Sequence, residues 1–495
     1  MKEVVILGLN NHIYSKDELI DIFENTIGKT LGEVDKNHIF DRTIDKPKIT
    51  GIAGNVIEES VLGYEADSYQ RPDLVVDGID VELKTTGIRR SKKDKKLFEA
   101  KEPMSVTAVS PEKISDEEFS TSNFWHKLEH LLVIYYLYDS DMTVLAAEYA
   151  KFPIKGYDFY EFSSLNKKIL ENDWSLVRDY IKSLQEEYDD PTRYYPTLSS
   201  ELRPELMMID IAPKWPNRPR FRLKRATVTT LVQQHFGKQF ESLDTDYNTF
   251  KEIDEKLHNL TIQLKNQTIA ELMSHFDIPL NNKGKISKGV TEQIVTKMFG
   301  AKVNKMNKID VFNEIGLRAK TTTWTVKGGR TEDTKLFPVD FEEWTTSDKL
   351  FEESTVYNYF SENQYLFIIF QESEDSLDGI DNNKFIGFKR LSFDDKFIGN
   401  EVRVVWDDVR EKVHKNKLVE TTVVNKAGEP IINKNGVVQT TVNLPKSKDH
   451  TIFFRGTSSN SSYKPESVNG ISMYRQSIWL KGSKLNNMLA DIEFI

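Results

Sequence analysis

"RPDLVVDGIDVELKTTG", residues 71–87, decides how this chain folds. At its centre Asp77-Gly78 is a two-residue turn signal of the I′ type, in which both central positions need positive φ. That turn sets a register. Val76 faces Ile79, Val75 faces Asp80, Leu74 faces Val81 and Asp73 faces Glu82, with directly opposed Cβ atoms about 5 Å apart. Side chains alternate along a strand, so Glu82 and Lys84 share a face. The hairpin thus gathers two carboxylates and an ammonium on one small patch. Two readings suit the patch. It is a solvated hairpin face with a cross-strand ion pair, or it is a cation site. Two close carboxylates repel, a divalent ion relieves the repulsion, and hard oxygen ligands suit Mg²⁺. In the second case the ion polarises a phosphate and acidifies a water, and Lys84 stabilises the negative charge that develops.

The segment just upstream, "GIAGNVIEESVLG" (51–63), places Ile52, Ala53, Val56, Ile57 and Val61 at helical spacing. Glu58 and Glu59 border that stripe. They are solvent-facing helix residues, or one of them is aimed at the patch.

The chain repeats itself, and repeats are sought first because missing one misreads the whole fold. "KITGIAGNVIEESVLG" (48–63) aligns without gaps on "KISKGVTEQIVTKMFG" (285–300). "KTLGEV" (29–34) matches "QTIAEL" (267–272), and "VELKTTG" (81–87) matches "LRAKTTT" (317–323), all at an almost constant offset. Weaker matches follow in the same order: 130–139 with 364–373, 173–181 with 405–413, and "FRLKRA" (221–226) with "IWLKGS" (478–483). The extra length of the second copy falls in 421–442, where Ala427-Gly428 and Asn435-Gly436 suggest hairpins. Two homologous domains are expected, 1–240 and 258–495, joined by a polar linker at 241–257. Each alternates helical and strand patterns, which implies an α/β fold, a mixed sheet with flanking helices.

Composition agrees. A length of 495 residues exceeds one ordinary core. Hydrophobic content of 38% and charged content of 29% suit folded, soluble domains. No apolar run reaches the ~18 residues of a membrane-spanning helix. The apolar patch of "MKEVVILGLNNHIYSKDEL" is too short for a signal peptide and reads as a buried strand. Cysteine is absent, which excludes disulfides, thiolate metal sites and a cysteine nucleophile, and fits a cytoplasmic chain. The net charge of −10 gives no hint of a nucleic-acid partner, but 89–96, 218–225 and 281–289 are locally basic. "IGKT" (27–30) lacks the first glycine of a phosphate-binding loop, with Phe23 in its place. His126 and His130 in "HKLEH" have a zinc-compatible spacing but no third ligand.

The stretch from "GNVIEESVLG" to "RPDLVVDGIDVELKTTG" resembles the MutH-like branch of the PD-(D/E)xK nucleases. That branch holds the mismatch-repair nicking enzyme MutH and the Sau-type type II restriction endonucleases, which cut at GATC. The "TS…HKL" element and hydrophobic strand within 102–136, and "FRLKRATVTTLVQQHF" (221–236), follow the family order. The aspartate-to-glutamate gap is longer than in MutH, and the tandem arrangement is similar to the restriction enzymes. By this resemblance Asp73 and Glu82 are metal ligands, Lys84 is the catalytic lysine, Glu58 is the helix carboxylate, and Lys127 is the lysine of the "HKL" element. The same resemblance puts Lys48 and Thr50 of "KITG", and Lys224 and Arg225 of the "LKK"-like strand, near DNA. It implies two restriction-endonuclease-like domains, Mg²⁺ as cofactor, double-stranded DNA as partner, a homodimer on DNA, and no membrane. In the second copy Arg318 stands for Glu82 and Val295 for Glu58, while Asp310 and Lys320 remain. That copy is expected to be catalytically dead, and to bind DNA through Lys285 and Lys481. The rival expectations are a methyl-directed nicking enzyme and a non-catalytic DNA-binding protein.

Overall fold

The computed structural model describes residues 12–495 apart from 67–70, 92–93, 141–143, 213–217, 327–331, 340, 346–349, 375–378, 459 and 461. The expected N-terminal strand lies mostly outside the described residues, which show Ile13–Tyr14 as a strand.

The hairpin forms in the register its turn dictates. Asp77 has φ 49° and Gly78 φ 84°, and Leu74, Val75 and Val76 pair with Val81, Asp80 and Ile79. Asp73 lies just beyond the ladder, where its Oδ2 accepts the N–H of Leu83 at 3.0 Å. The second strand of the hairpin, Ile79–Arg90, runs on as the spine of a mixed sheet. Leu131–Leu137 lies parallel to it, and Ile154–Tyr160 lies antiparallel beyond that. Ile13–Tyr14 lies parallel to Leu74–Val76 on the other side, and Phe98–Ala100 covers the far end of the spine. Every residue of Leu131–Leu137 is buried, as an unbroken apolar run requires of a strand covered on both faces.

The stripe read upstream becomes the lid of this sheet. Helix Ile52–Asn55 continues directly into a π-helical turn, Val56–Leu62. Ile52, Ala53, Val56 and Ile57 share one core with Leu83, Leu132 and Ile134 of the sheet. Burying each such aliphatic side chain contributes roughly 1.5–3 kcal/mol. Gly63 ends the turn with φ 85°, a conformation that a side chain would resist.

A second, three-stranded sheet has Arg220–Leu223 at its centre, with Met104–Ala108 and Ile209–Ala212 antiparallel on either side. The long helix Ser164–Glu187 packs on it through the fully buried Trp174. Beside that indole, Asp173 accepts the N–H groups of Met207, Met208 and Ile209 at 2.8, 2.7 and 3.1 Å.

The chain divides into two compact units. One runs to Ser140, resumes over Val144–Asp254 and takes in Phe299–Leu317; the other is Glu255–Met298 with Arg318–Ile495. Taken separately, they repeat the same construction. Thr30 with Glu33, and Thr268 with Glu271, form matching capping boxes. The next residue in each case, Leu31 or Ile269, donates its N–H to Phe152 or Asn383 at 2.9 and 3.0 Å. Strands Gln364–Gln371 and Lys384–Leu391 pair antiparallel in the second unit as 131–137 and 154–160 do in the first. Gln476–Leu480 is the middle strand of a three-stranded sheet there, flanked by Thr334–Pro338 and Ile452–Gly456. Even the weaker sequence matches are matched contacts. Trp174 and Trp406 are each buried, each lies under an arginine (Arg178 and Arg410) at 5.2 Å, and each meets a phenylalanine (Phe119 and Phe351) at 6.0 and 6.2 Å. The fold is therefore α/β, two tandem copies of one architecture. The inserted stretch of the second copy is a ribbon, Glu420–Thr422 on Thr440–Val442, with two small turns at Gly428 and Gly436 (φ 83° and 81°) in the chain between its strands. Among the described residues no helix is long and apolar enough to cross a membrane.

Asp173→Ala leaves three enclosed N–H groups without an acceptor. It should lower unfolding stability by at least about 3 kcal/mol, since each such orphan costs ~1–3 kcal/mol. Urea denaturation of the variant beside the parent chain checks this.

Candidate active site

Glu82 is the centre of the patch. It is 1% exposed although it is a carboxylate, so its charge must be paired where it stands. Lys127 Nζ donates to both of its oxygens at 2.9 Å, and Lys84 Nζ donates to Oε1 at 2.5 Å. The two ammoniums differ in setting. Lys127 is buried, whereas the Lys84 side chain is partly open to solvent. Their placement follows from the sheet. Glu82 pairs with Leu131 and Lys84 with Val133, so the loop entering the parallel strand ends beside Glu82. Within that loop Ser122 caps the helical turn Asn123–His126 by accepting the N–H of Trp125, which presents Lys127 to the carboxylate.

Asp73 stands on the other side of the patch. Burial first, then the charge of Glu82, pushes its carboxyl up to about 6; Lys84 and Lys127 pull the other way. Glu58 lies half-buried on the π turn, whose defining bond runs from the Gly63 N–H to the Glu58 carbonyl at 2.8 Å. Single π turns are rare and concentrate at functional sites. Glu59, its neighbour, instead forms a bidentate ion pair with Arg42 at 2.7 and 2.6 Å. Of the two helix carboxylates, Glu58 is the one whose charge reaches the patch, acting on Tyr64 together with Asp73 and Glu82.

Two residues of this neighbourhood gave no signal in the sequence. Tyr64 is buried, and the charges of Glu58, Asp73 and Glu82 act on it. His12 packs its ring on Tyr64 at 4.2 Å and sets Nδ1 2.7 Å from the Asp73 carbonyl oxygen. A lone aromatic after a glycine and a histidine far upstream have no pattern that ties them to the hairpin.

The donor set suits a hard divalent ion. Burial and, after it, the charge of Glu82 disfavour the ionised Asp73 carboxyl, and a cation between the two carboxylates relieves their repulsion. Among the described residues no three His, Asp or Glu side chains converge as a ready-made cluster. Protein ligation by Asp73 and Glu82 with water completing the shell is the arrangement that Mg²⁺ prefers.

The second copy has the opposite electrostatics at the equivalent strand, Leu317–Trp324. Arg318 donates from Nε to Asn363 Oδ1 at 2.6 Å and lies over the Tyr359 ring at 5.7 Å. Lys320 donates to the carbonyl of Lys335 at 3.2 Å. Val295, aligned with Glu58, is fully buried. Asp310 does not stand on a hairpin as Asp73 does. It opens the short helix Asp310–Glu314 and accepts from Ser242 Oγ at 2.5 Å. Among the described residues no strand pairs ahead of Leu317 as Leu74–Val76 pairs ahead of Val81.

The residues expected near DNA are differently placed. Lys48, Thr50 and Lys285 are exposed, and Lys481 is half-buried at the N-terminus of helix Gly482–Ala490. Lys224 is a correction. It is 2% exposed, its Nζ donates to the Leu206 carbonyl at 2.5 Å, and its charge acts on Asp173. A side chain locked into the core to balance a buried carboxylate does not reach a phosphate. Arg225 is also engaged internally, donating to the Ala100 carbonyl at 2.7 Å and pairing with Glu99 at 3.2 Å.

Two expectations follow for the cation-free protein. Lys127→Met should destabilise by about 2–4 kcal/mol because it strips a partner from a buried carboxylate. The double variant with Glu82→Gln should recover most of that loss, a coupling that a double-mutant cycle of urea melts measures. Asp73 has a folded-state value near 6, above its unfolded one, so the native state binds the proton more tightly. Its contribution to stability therefore falls as the pH rises from about 4 to about 6. Asp73→Asn should flatten that part of the stability–pH curve.

Comparison with known proteins bears on the same residues. Residues 62–173 match the family described as MutH, DNA mismatch repair enzyme MutH. The match starts at the end of the π turn and takes in Asp73, Glu82, Lys84 and Lys127. Over 477 residues the chain is 24% identical to the type II restriction enzyme Sau3AI of Staphylococcus aureus, an alignment that covers 88% of this chain and 91% of that one. The hairpin with its paired lysines agrees with both matches: residues 62–173 are similar to MutH, and the chain along most of its length is similar to a type II restriction enzyme.

Proposed function

We propose that the chain is a Mg²⁺-dependent type II restriction endonuclease that hydrolyses double-stranded DNA at GATC, leaving 5′-phosphate and 3′-hydroxyl ends. The observation that carries this reading is the contrast between the copies. One keeps Asp73, Glu82, Lys84 and Lys127 together around the buried Glu82. The other has a cation, Arg318, at the position of Glu82. An arginine where an ion would bind excludes the ion by like charge.

In this reading Asp73 and Glu82 hold the ion through carboxylate oxygens. The bound ion supplies polarisation of the scissile phosphate and a readily deprotonated water. Lys84, the more open ammonium, stabilises the charge that builds on the phosphate. Lys127 acts through Glu82, fixing both of its oxygens. Glu58 adds a third carboxylate from the π turn. Lys48 and Thr50, exposed ahead of the helix, are suited to backbone contacts. The second copy of the repeat, residues 258–495, is an effector that binds the same site through Lys285 and Lys481 and promotes cleavage without performing it. One active site per chain cuts one strand at a time, so two chains meet on DNA or one chain acts twice, in the cytoplasm. A MutH-type nicking enzyme is the second reading, favoured by the family matched over 62–173. Similarity to a restriction enzyme along most of the chain weighs against it.

Digestion of a sequenced plasmid with Mg²⁺, followed by mapping of the ends, tests the reading. Linear products with uniform ends at GATC support it; nicked circles alone favour the repair enzyme. Glu82→Ala and Lys84→Ala should each cut the rate by at least about a hundredfold, the scale of losing charge stabilisation at a reacting centre. Ca²⁺ should support site binding without turnover, being larger and looser in geometry. Near-normal cleavage by either variant would remove the assignment.

A further inference from the structure

Tyr64 stands out among the buried polar groups of the first unit. It is 4% exposed, and its hydroxyl is enclosed with no hydrogen-bond partner among the described residues. Native proteins keep few such groups, and each calls for a reason. The phenol is not idle packing at the edge of the core. The charges of Glu58, Asp73 and Glu82 all bear on it, after burial as the largest influence. Together they hold it protonated, hence a donor. It is also pinned. Its backbone N–H donates to the Glu58 carbonyl at 3.1 Å. Two residues earlier, the Leu62 carbonyl accepts from the Tyr14 hydroxyl at 2.8 Å. The His12 ring covers the phenol and is itself held against the Asp73 carbonyl. A rigid O–H donor, unspent among the described residues, thus stands where the charges of Glu58, Asp73 and Glu82 all reach.

We propose that Tyr64 is a positioning residue of the cation site. Among the described residues its O–H has no acceptor while Glu82 is engaged by the two lysines. It donates to a carboxylate oxygen of Asp73 or Glu58 once an ion draws the carboxylates into its shell. This rests on the reading of Asp73 and Glu82 as ion ligands. Groups that orient ligands from behind in this way typically change metal affinity by about 10–100-fold when removed.

Tyr64→Phe deletes only the O–H and keeps the ring under His12. Calorimetric titration of the full chain with Ca²⁺, which needs no turnover, and thermal melts with and without the ion give the readouts. In Tyr64→Phe the affinity should fall about tenfold, while the melting temperature without ion stays level or rises, because an enclosed, unpartnered hydroxyl is gone. Asp73→Asn should lose the calcium response altogether. Affinity of Tyr64→Phe equal to that of the parent chain overturns the proposal, whatever happens to the melting temperature. A parent chain that binds no calcium, or an Asp73→Asn variant that binds it normally, overturns the cation site itself and is told apart from failure of the tyrosine alone.

Discussion

A carboxylate buried to 1% exposure and met by two ammoniums is the constraint around which the first unit is arranged. Isolated, such a charge is too costly to bury; paired on both oxygens it is tolerable. Pairing it from Lys84 is local, two residues along the same strand. Pairing it from Lys127 is not, and requires the parallel neighbour Leu131–Leu137 to begin opposite Glu82. The Glu82 N–H bonded to the His130 carbonyl at 2.9 Å fixes that start. The sheet order, the capped turn before the strand and the hydrophobic lid of 52–62 all serve to keep the two lysines and the glutamate in register.

The comparison within the chain shows what happens when that constraint is lifted. The second unit retains the capping box, the antiparallel strand pair and the arginine–tryptophan–phenylalanine cluster. It has an arginine for the glutamate, and its contacts are with Asn363 and a tyrosine ring instead of a lysine. The helix-to-strand contact survives in altered form. Gly54 approaches Thr85 in the first unit, and the aligned Thr291 and Thr321 hydroxyls meet at 2.6 Å in the second. Packing is therefore separable from charge in this fold: the apolar frame persists where the ionic set does not.

The first unit also carries local instability at its patch. Asp73 is pushed upward by burial and by Glu82, Tyr64 has an unanswered hydroxyl, and the helix above them is wound as a π turn. Each costs stability, and together they lie beside the same carboxylates. Costly polar groups of this kind persist at functional sites when the surrounding core holds them in place.

The sequence by itself determined a good deal. Asp77-Gly78 set the hairpin register because only one turn geometry fits two positive-φ residues between twisted strands. The internal alignment revealed two copies, because a repeated order of caps, glycines and apolar stripes is visible without any contact information. The pairing of Glu82 with Lys84 followed from the period of a strand. What it could not determine were facts of long-range geometry. Lys224, expected near DNA from the resemblance, is enclosed by the fold where its charge acts on Asp173. Asp310 matched Asp73 in the alignment, yet it begins a helix bonded to Ser242. The residue behind Tyr64 is His12, far upstream in the chain. Burial and partnership depend on what the rest of the chain places nearby, and no local period or propensity carries that information.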